Sequence, residues 1–438
     1  MSSDYKKDSL TLFDAVAMGT GVMIGAGILA LTGQIAELAG PLFPFVFLSG
    51  AVVTAFSAYT YIKMSNAYPS AGGIGMILKK AYGPTAVTAG AALLMALSMV
   101  INESLVARTF ASYLLRGLDM SPSGWLLPAI SVAVILFAFL VNISGNKSVG
   151  LFSTVMAALK VGGIALFGSA ALWAGGFSFE ATGGGADQAG LTGFIAATAL
   201  SILAFKGFTT ITNSGAEITN PHHNVGRAII VAIIICILVY LLVAFAVGSS
   251  LPLEKIIQAK DYALAEAAKP ALGSVGFYLT VALALVATSS GLIASMFAVS
   301  RMLAMLTDMA LIPHSHFGMP GKVQDHTLVY TVVVAALLAV FFDLSQIASL
   351  GAFFYLVMDI IIHWGVFRHL RSDISARGWV LLTAIGLDAV VLATFALLKW
   401  RQDPAIVVYA VAGIAVVFVF VKAFLHFNPP EAQEEHSH

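Results

Sequence analysis

The sequence predicts an all-α membrane protein of twelve transmembrane helices, on three observations. Of its 438 residues, 59% are hydrophobic and only 10% are charged, whereas a soluble domain carries roughly 25% charged residues. The mean hydropathy is +0.93, so too little polar surface exists to clothe a water-soluble fold of this size. The apolar residues also gather into twelve runs near the length, roughly 20 residues, that a helix needs to cross the hydrocarbon.

In chain order the runs lie at about 12–38, 42–66, 84–114, 124–143, 149–175, 191–219, 227–250, 273–306, 327–342, 345–367, 378–398 and 404–426. The stretch 251–272 is polar and reads as a long external loop with a short helix. The first run is too long for a signal core, which spans roughly 7–15 residues, and no small-residue cleavage site follows it. Residues 1–11 and 428–438 are polar tails. With the N-terminus placed in the cytoplasm, thirteen of the 22 basic residues fall inside, Lys79, Lys80, Arg227 and Arg301 among them, and six fall outside. That asymmetry predicts an inner membrane with both termini cytoplasmic. The single cysteine, Cys236, sits in an apolar run and reads as a small buried hydrophobe. A net charge of +0 gives no footprint for nucleic acid.

Two runs break their own pattern. Residues 19–29 hold four glycines, Gly19, Gly21, Gly25 and Gly27, in mid-span. Each costs about 1 kcal/mol relative to alanine in a helix. In the sixth run, Phe205-Lys206-Gly207-Phe208 is followed by Thr209, Thr210 and Thr212, which suits a lipid-facing helix poorly. Unwound backbone at membrane depth is tolerated only against protein or a watery cavity. Its free N–H groups attract an anion and its free C=O groups a cation. An amino acid needs such a pair of poles: its carboxylate on the N–H groups around Gly25, Ala26 and Gly27, its ammonium on carbonyls near Met23 and Phe205. The alternative is that the glycines only permit close helix packing. The breaks lie five helices apart, which suggests two inverted five-helix repeats, about 12–175 and 191–370, with two extra helices at about 378–426.

Four ordered motifs then resemble the amino acid–polyamine–organocation (APC) superfamily. They are the glycine run from Gly21 to Ile28, the segment Ser65 to Gly73 with Tyr68-Pro69 and Gly72-Gly73, the run Phe205 to Arg227 with Asn213, Glu217 and Asn220-Pro221, and Ser300-Arg301 with Asp308 and Pro313. The resemblance implies a leucine-transporter-like fold with helices one and six broken, and alternating access to a central site. It implies an amino acid or related amine as substrate, held by Met23, Ile24, Gly25, Ala26 and Gly27 and by Leu203, Phe205, Lys206 and Gly207. Helices ten to twelve carry little of the motif.

Ionisable residues inside spans are costly and read first as functional. Lys160 matches the fifth-helix lysine that, in several APC members, takes the place of a sodium ion between helices one and eight. There it would bridge helix one to Ser289 or Ser290, as a fixed cation or as carrier of the coupled proton. Lys206 departs from the family, where that position is usually apolar. By rough alignment, Glu103 falls where some relatives contact the substrate. Either Glu103 and Lys206 pair, or each selects a substrate group of opposite sign. Arg108 reads as snorkelling or gating. Glu217, with Arg227 or Arg301, reads as an inner gate or equally as a solvated loop contact; Phe208 could act as a lid, but taken singly plain packing is the better reading. Asp359 reads as a substrate contact or as a buried partner of His363.

The expected function is secondary active transport of amino acids, sodium-independent and by proton-coupled symport; exchange of amino acids, polyamines or other organic amines is the alternative. No GK[ST] phosphate loop or nucleophile elbow marks an enzyme. No cofactor or metal-ligand set is read, since most histidines fall in loops. The expected partners are the solute, a proton and the lipid bilayer.

Overall fold

A computed structural model describes residues 9–70, 72–121, 124–144, 146–176, 190–313 and 323–428, leaving aside the side chains of Ala26 and of 146–158. Among the described residues the chain is helical throughout, apart from turns and one isolated bridge between Leu10 and Ile218.

The first run forms α1 (Leu12–Met23), a π turn at Ile24–Ile28 and α2 (Leu29–Ala39). Thr11 caps α1: its hydroxyl accepts from the Asp14 amide while the Asp14 carboxylate accepts from the Thr11 amide, satisfying two otherwise unpaired groups. A turn at Gly40, with φ 59°, leads to α3 (Phe43–Ala67). The short α4 (Gly73–Tyr82) follows, which the apolar pattern did not announce because it is only ten residues long and carries Lys79 and Lys80 in its last turn. Next come α5 (Ala86–Gly117), α6 (Leu126–Ile143) and α7 (Asn146–Ala174).

The sixth run is α8 (Leu191–Phe205), a 3₁₀ turn at Lys206–Phe208 and α9 (Thr209–Asn213). Then α10 (Pro221–Ser250) starts six residues earlier than its apolar run, because Asn220 adopts a left-handed conformation and Pro221 suits the first helical position. The loop helix is α11 (Leu253–Gln258). The long α12 (Ala263–Asp308) kinks at Gly273, φ 67°, where the apolar run begins. The remainder are α13 (Val323–Phe341), α14 (Leu344–Gly365) with a π turn at Val366–Leu370, α15 (Gly378–Gln402) and α16 (Pro404–Phe427).

Ten helices among the described residues are long and apolar enough to cross a membrane, counting α2 and α3 as one; Leu12–Met23 and Leu159–Ala174 are shorter apolar helices. Burial sorts them. The most apolar stretches of α5 and α8 are 89% buried, while that of α16 is 22% buried. Thus α5 and α8 form the centre, α5 packing along α12 and α14. The rim shows Phe137 and Leu140 of α6, Ile234 and Leu238 of α10, and Val416 and Val419 of α16 to the outside, as lipid contact requires. This is a multi-pass membrane protein.

Candidate functional site

The two irregular turns meet. A Cβ added to Gly207 would lie 2.9 Å from the Met23 backbone nitrogen, and one added to Gly27 would lie 2.8 Å from the Ala204 Cβ. Glycine at both positions lets the 3₁₀ turn close on α1 and the π turn close on α8. The expectation of unwound chain here needs correction. Residues 24–28 keep a helical path with one wide π turn, and residues 206–208 keep a tight 3₁₀ turn. Both shift the α ladder without opening it, since a full break would leave more buried polar backbone than its neighbours can satisfy.

The groups that the turns release are met from the side. The Tyr240 hydroxyl donates to the carbonyls of Met23 (2.7 Å) and Ala204 (3.0 Å). It has one proton to share between them. The Thr209 hydroxyl donates to the Lys206 carbonyl at 2.8 Å, and the Thr210 hydroxyl to the Gly207 carbonyl. Phe205 packs at a tilt against Tyr240 with ring centroids 4.9 Å apart, and Phe208 lies edge-on to Tyr61 at 5.2 Å. Met23, Ile24, Gly25, Gly27, Leu203, Phe205, Lys206, Gly207 and Glu103 are all buried here; Ala26 contributes its backbone to the π turn.

Lys160 is 2% exposed and lies between α1 and α12. Its Nζ donates to the Gly21 carbonyl at 3.3 Å, and a Cβ on Gly25 would stand 3.6 Å from it. The expected bridge to Ser289 or Ser290 is not made. Those hydroxyls turn back on their own helix, to the carbonyls of Leu285 (2.7 Å) and Ala287 (3.3 Å). The α12 side of the lysine pocket is instead the glycine step at Gly291.

Glu103 and Lys206 do not pair. The Lys206 Nζ donates to the backbone carbonyl (2.6 Å) and hydroxyl (2.9 Å) of Ser98 on α5, and that hydroxyl donates on to the Gly351 carbonyl of α14 at 3.1 Å. Glu103 accepts from Ser295 at 3.4 Å through Oε1, while its Oε2 has no hydrogen-bond partner although fully buried. Arg108 donates to the Ala339 carbonyl of α13 at 2.7 Å.

Polar contacts tie both ends of the centre. At one end Arg301 holds Glu217 through two bonds, 2.9 and 3.3 Å. The same loop exchanges backbone bonds with Leu10, whose amide donates to the Glu217 carbonyl and whose carbonyl accepts from the Thr219 amide, each at 2.9 Å. Arg227 is exposed and takes no part in that pair, since the early start of α10 turns it outward. The motif glycine Gly73, φ 44°, presses on Asn213, whose side chain accepts from the Ile74 amide at 3.2 Å. At the other end Lys260 pairs with Glu37 at 2.8 Å and Asp261 accepts from Gln34 at 2.8 Å. Burial lifts the Asp261 carboxyl above the usual carboxylate range, against the pull of Lys260.

A profile of the amino acid permease family matches residues 10–437. The chain belongs to the amino acid permease family. The permease is 26% identical over 412 residues to the inner membrane transport protein YbaT of Escherichia coli, covering 94% of this chain and 95% of that one. It is 29% identical over 403 residues to an uncharacterized protein of Methanocaldococcus jannaschii, covering 91% and 90%. It is 25% identical over 404 residues to the branched-chain amino acid permease BcaP of Lactococcus lactis, covering 83% and 82%. The APC resemblance of the four motifs is thereby shown for the permease as a whole.

The Glu217–Arg301 pair of the permease is partly buried, with side chains 13% and 17% exposed. Losing one partner of a charged hydrogen bond costs about 1.5–3 kcal/mol. The expected coupling in a double-mutant cycle of Glu217→Gln and Arg301→Gln is therefore about 1 kcal/mol or more, read from unfolding in detergent. Additive effects would reduce the pair to two independent surface charges.

Proposed function

We propose that the permease is a secondary active transporter of amino acids that works by alternating access, independently of sodium and as a proton symporter. The observation that carries this reading is the contact of the two irregular turns, residues 24–28 against 206–208, inside a buried bundle. Two local departures from α geometry meet inside the bundle, and irregular backbone of this kind supports a reading in which its carbonyls and amides grip the two poles of a zwitterion. In this reading the chain crosses the membrane twelve times, with both termini cytoplasmic. α1 to α7 form one repeat, α8 to α14 its inverted counterpart, and α15 and α16 are additions.

The backbone groups of Met23 to Gly27 and of Leu203 to Gly207 would hold the substrate's carboxylate and ammonium. Lys160 would take the coupling role, and the ammonium's contact with Gly21 and its closeness to Gly25 support it. Glu217 with Arg301 would form the inner gate and Phe208 a lid on the turn beneath. The ties at both ends describe a closed state, so opening requires one set to part while the other holds. The relatives' names support the substrate class: BcaP is called a branched-chain amino acid permease.

A second reading, exchange of organic amines, is favoured by one observation, the unmet buried oxygen of Glu103, which can accept from an amine or hold a proton. Proteoliposomes test both. Uptake of a labelled amino acid panel is expected to saturate and to rise when the lumen is made alkaline. Uptake that appears only with solute preloaded inside would replace symport with exchange. Absence of uptake across both amino acids and polyamines would remove the substrate class altogether.

A further inference from the structure

Three ionisable side chains that the site above does not use converge beside it. Asp359 and His363 stand four residues apart on one face of α14, and Asp388 faces them from α15; all three are fully buried. His363 Nε2 lies 3.4 Å from Asp359 Oδ2 and 3.6 Å from Asp388 Oδ2, and one ligand atom from each residue falls within 4.8 Å of the other two. These separations are long for hydrogen bonds. Both ring nitrogens of His363 and both oxygens of Asp388 lack a hydrogen-bond partner. Four buried polar atoms without partners, on two side chains that face each other, leave a large desolvation cost unmet.

Two considerations identify what would meet it. The first is charge. With both carboxylates ionised and the imidazole neutral the cluster carries −2, and among the described residues only His363 lies within ion-pair distance of either carboxylate. A divalent cation brings the cluster to neutrality, the inexpensive state at membrane depth. The second is spacing. Donors about 2.1 Å from a tetrahedral zinc ion stand about 3.4 Å from one another, close to the 3.4 and 3.6 Å found here.

We propose that Asp359, His363 and Asp388 form a buried site for a divalent first-row transition-metal cation such as zinc, tying α14 to α15. Imidazole with carboxylate is a donor set suited to that class. The Asp359 carboxylate is already oriented by α3, accepting from Ser57 at 2.7 Å and from the Tyr61 hydroxyl, an outer shell of the kind metal carboxylates have. Tyr61 in turn packs on Phe208 at the 206–208 turn. The ion would therefore stiffen the wall against which that turn moves, and it would do so whichever solute the chain carries.

The test uses the full chain, purified with a tag free of histidine, stripped with chelator and exposed to zinc. Bound metal is measured by elemental analysis after desalting, and thermal unfolding is followed with and without zinc. The expected result is about one zinc per chain and a higher unfolding temperature with zinc. Asp388→Asn and His363→Gln are each expected to weaken zinc binding at least tenfold, while a variant with His222 and His223 changed to Asn and residues 429–438 removed keeps it. Cobalt in the wild-type chain is expected to show the intense visible absorption of a tetrahedral ion, a readout that needs no variant to fold. Zinc content equal in wild type and Asp388→Asn, zinc lost with the loop and tail histidines, or cobalt with only the weak octahedral spectrum would each overturn the site.

Discussion

Gly27→Val is expected to cost the permease about 3 kcal/mol or more and to abolish its uptake. A Cβ at position 27 would lie 2.5 Å from the Tyr240 Oη, 2.8 Å from the Ala204 Cβ and 3.0 Å from the Ala204 Cα. The tyrosine could swing aside, but it would then abandon the carbonyls of Met23 and Ala204. The Ala204 Cα is backbone and cannot rotate away, so α8 itself must move. Overpacking a well-filled core typically costs about 1–3 kcal/mol; here the obstacle is main chain and a shared hydroxyl is lost besides, which places the effect at the upper end. Gly162→Ala on α7 is the control, because nothing lies within 4 Å of its added Cβ. Helix propensity alone would make it neutral or more stable, by up to about 1 kcal/mol. Unfolding followed by size-exclusion chromatography in detergent, with uptake in proteoliposomes, separates the two. Gly27→Val with wild-type stability and uptake would show that the two turns do not need their close contact.

Lys160→Ala is expected to keep the fold and lose gradient-driven uptake by at least about tenfold. The ammonium is buried, donates to Gly21 and stands beside Gly25 and Gly291, so it links the π-turn region to α7 and α12. A hydrogen bond from a charged donor contributes about 1.5–3 kcal/mol, and 1.4 kcal/mol is a factor of ten in an equilibrium. Alanine removes that link without adding bulk and relieves the chain of a buried charge, so the two effects on stability oppose each other while the effect on coupling does not. Uptake with and without an imposed pH gradient is the measurement. If Lys160→Ala responds to the gradient as the wild type does, the lysine is a structural cation and the proton travels elsewhere.

The membrane-embedded helices were legible because hydropathy is a local property. In hydrocarbon every backbone amide must bond within its own segment, so an apolar run of sufficient length has one solution. The position of both irregular turns was also legible, from glycine density at 19–27 and from a lysine and hydroxyls in an apolar run at 205–212. Their form was not. Whether a glycine-rich stretch unwinds or adopts a π turn depends on which neighbours can satisfy its carbonyls, and Tyr240 does so from more than two hundred residues away. Asp388 stands alone in the eleventh run, so an acid in mid-span is its one signal in the sequence, and its meaning comes from His363 on another helix.

Sequence alone determined that this chain is helical, lies in a membrane, carries two weak points in its helices and bears the motifs of its family. The tertiary structure decided which charges meet. Lys206 found Ser98 and not Glu103, Glu217 found Arg301 and not Arg227, and Lys160 found the Gly21 carbonyl and not a serine. The physical reason is one of range. Helix formation and burial in lipid follow from neighbours along the chain, whereas a buried charge is satisfied by whatever the packing of distant helices brings within about 3 Å of it.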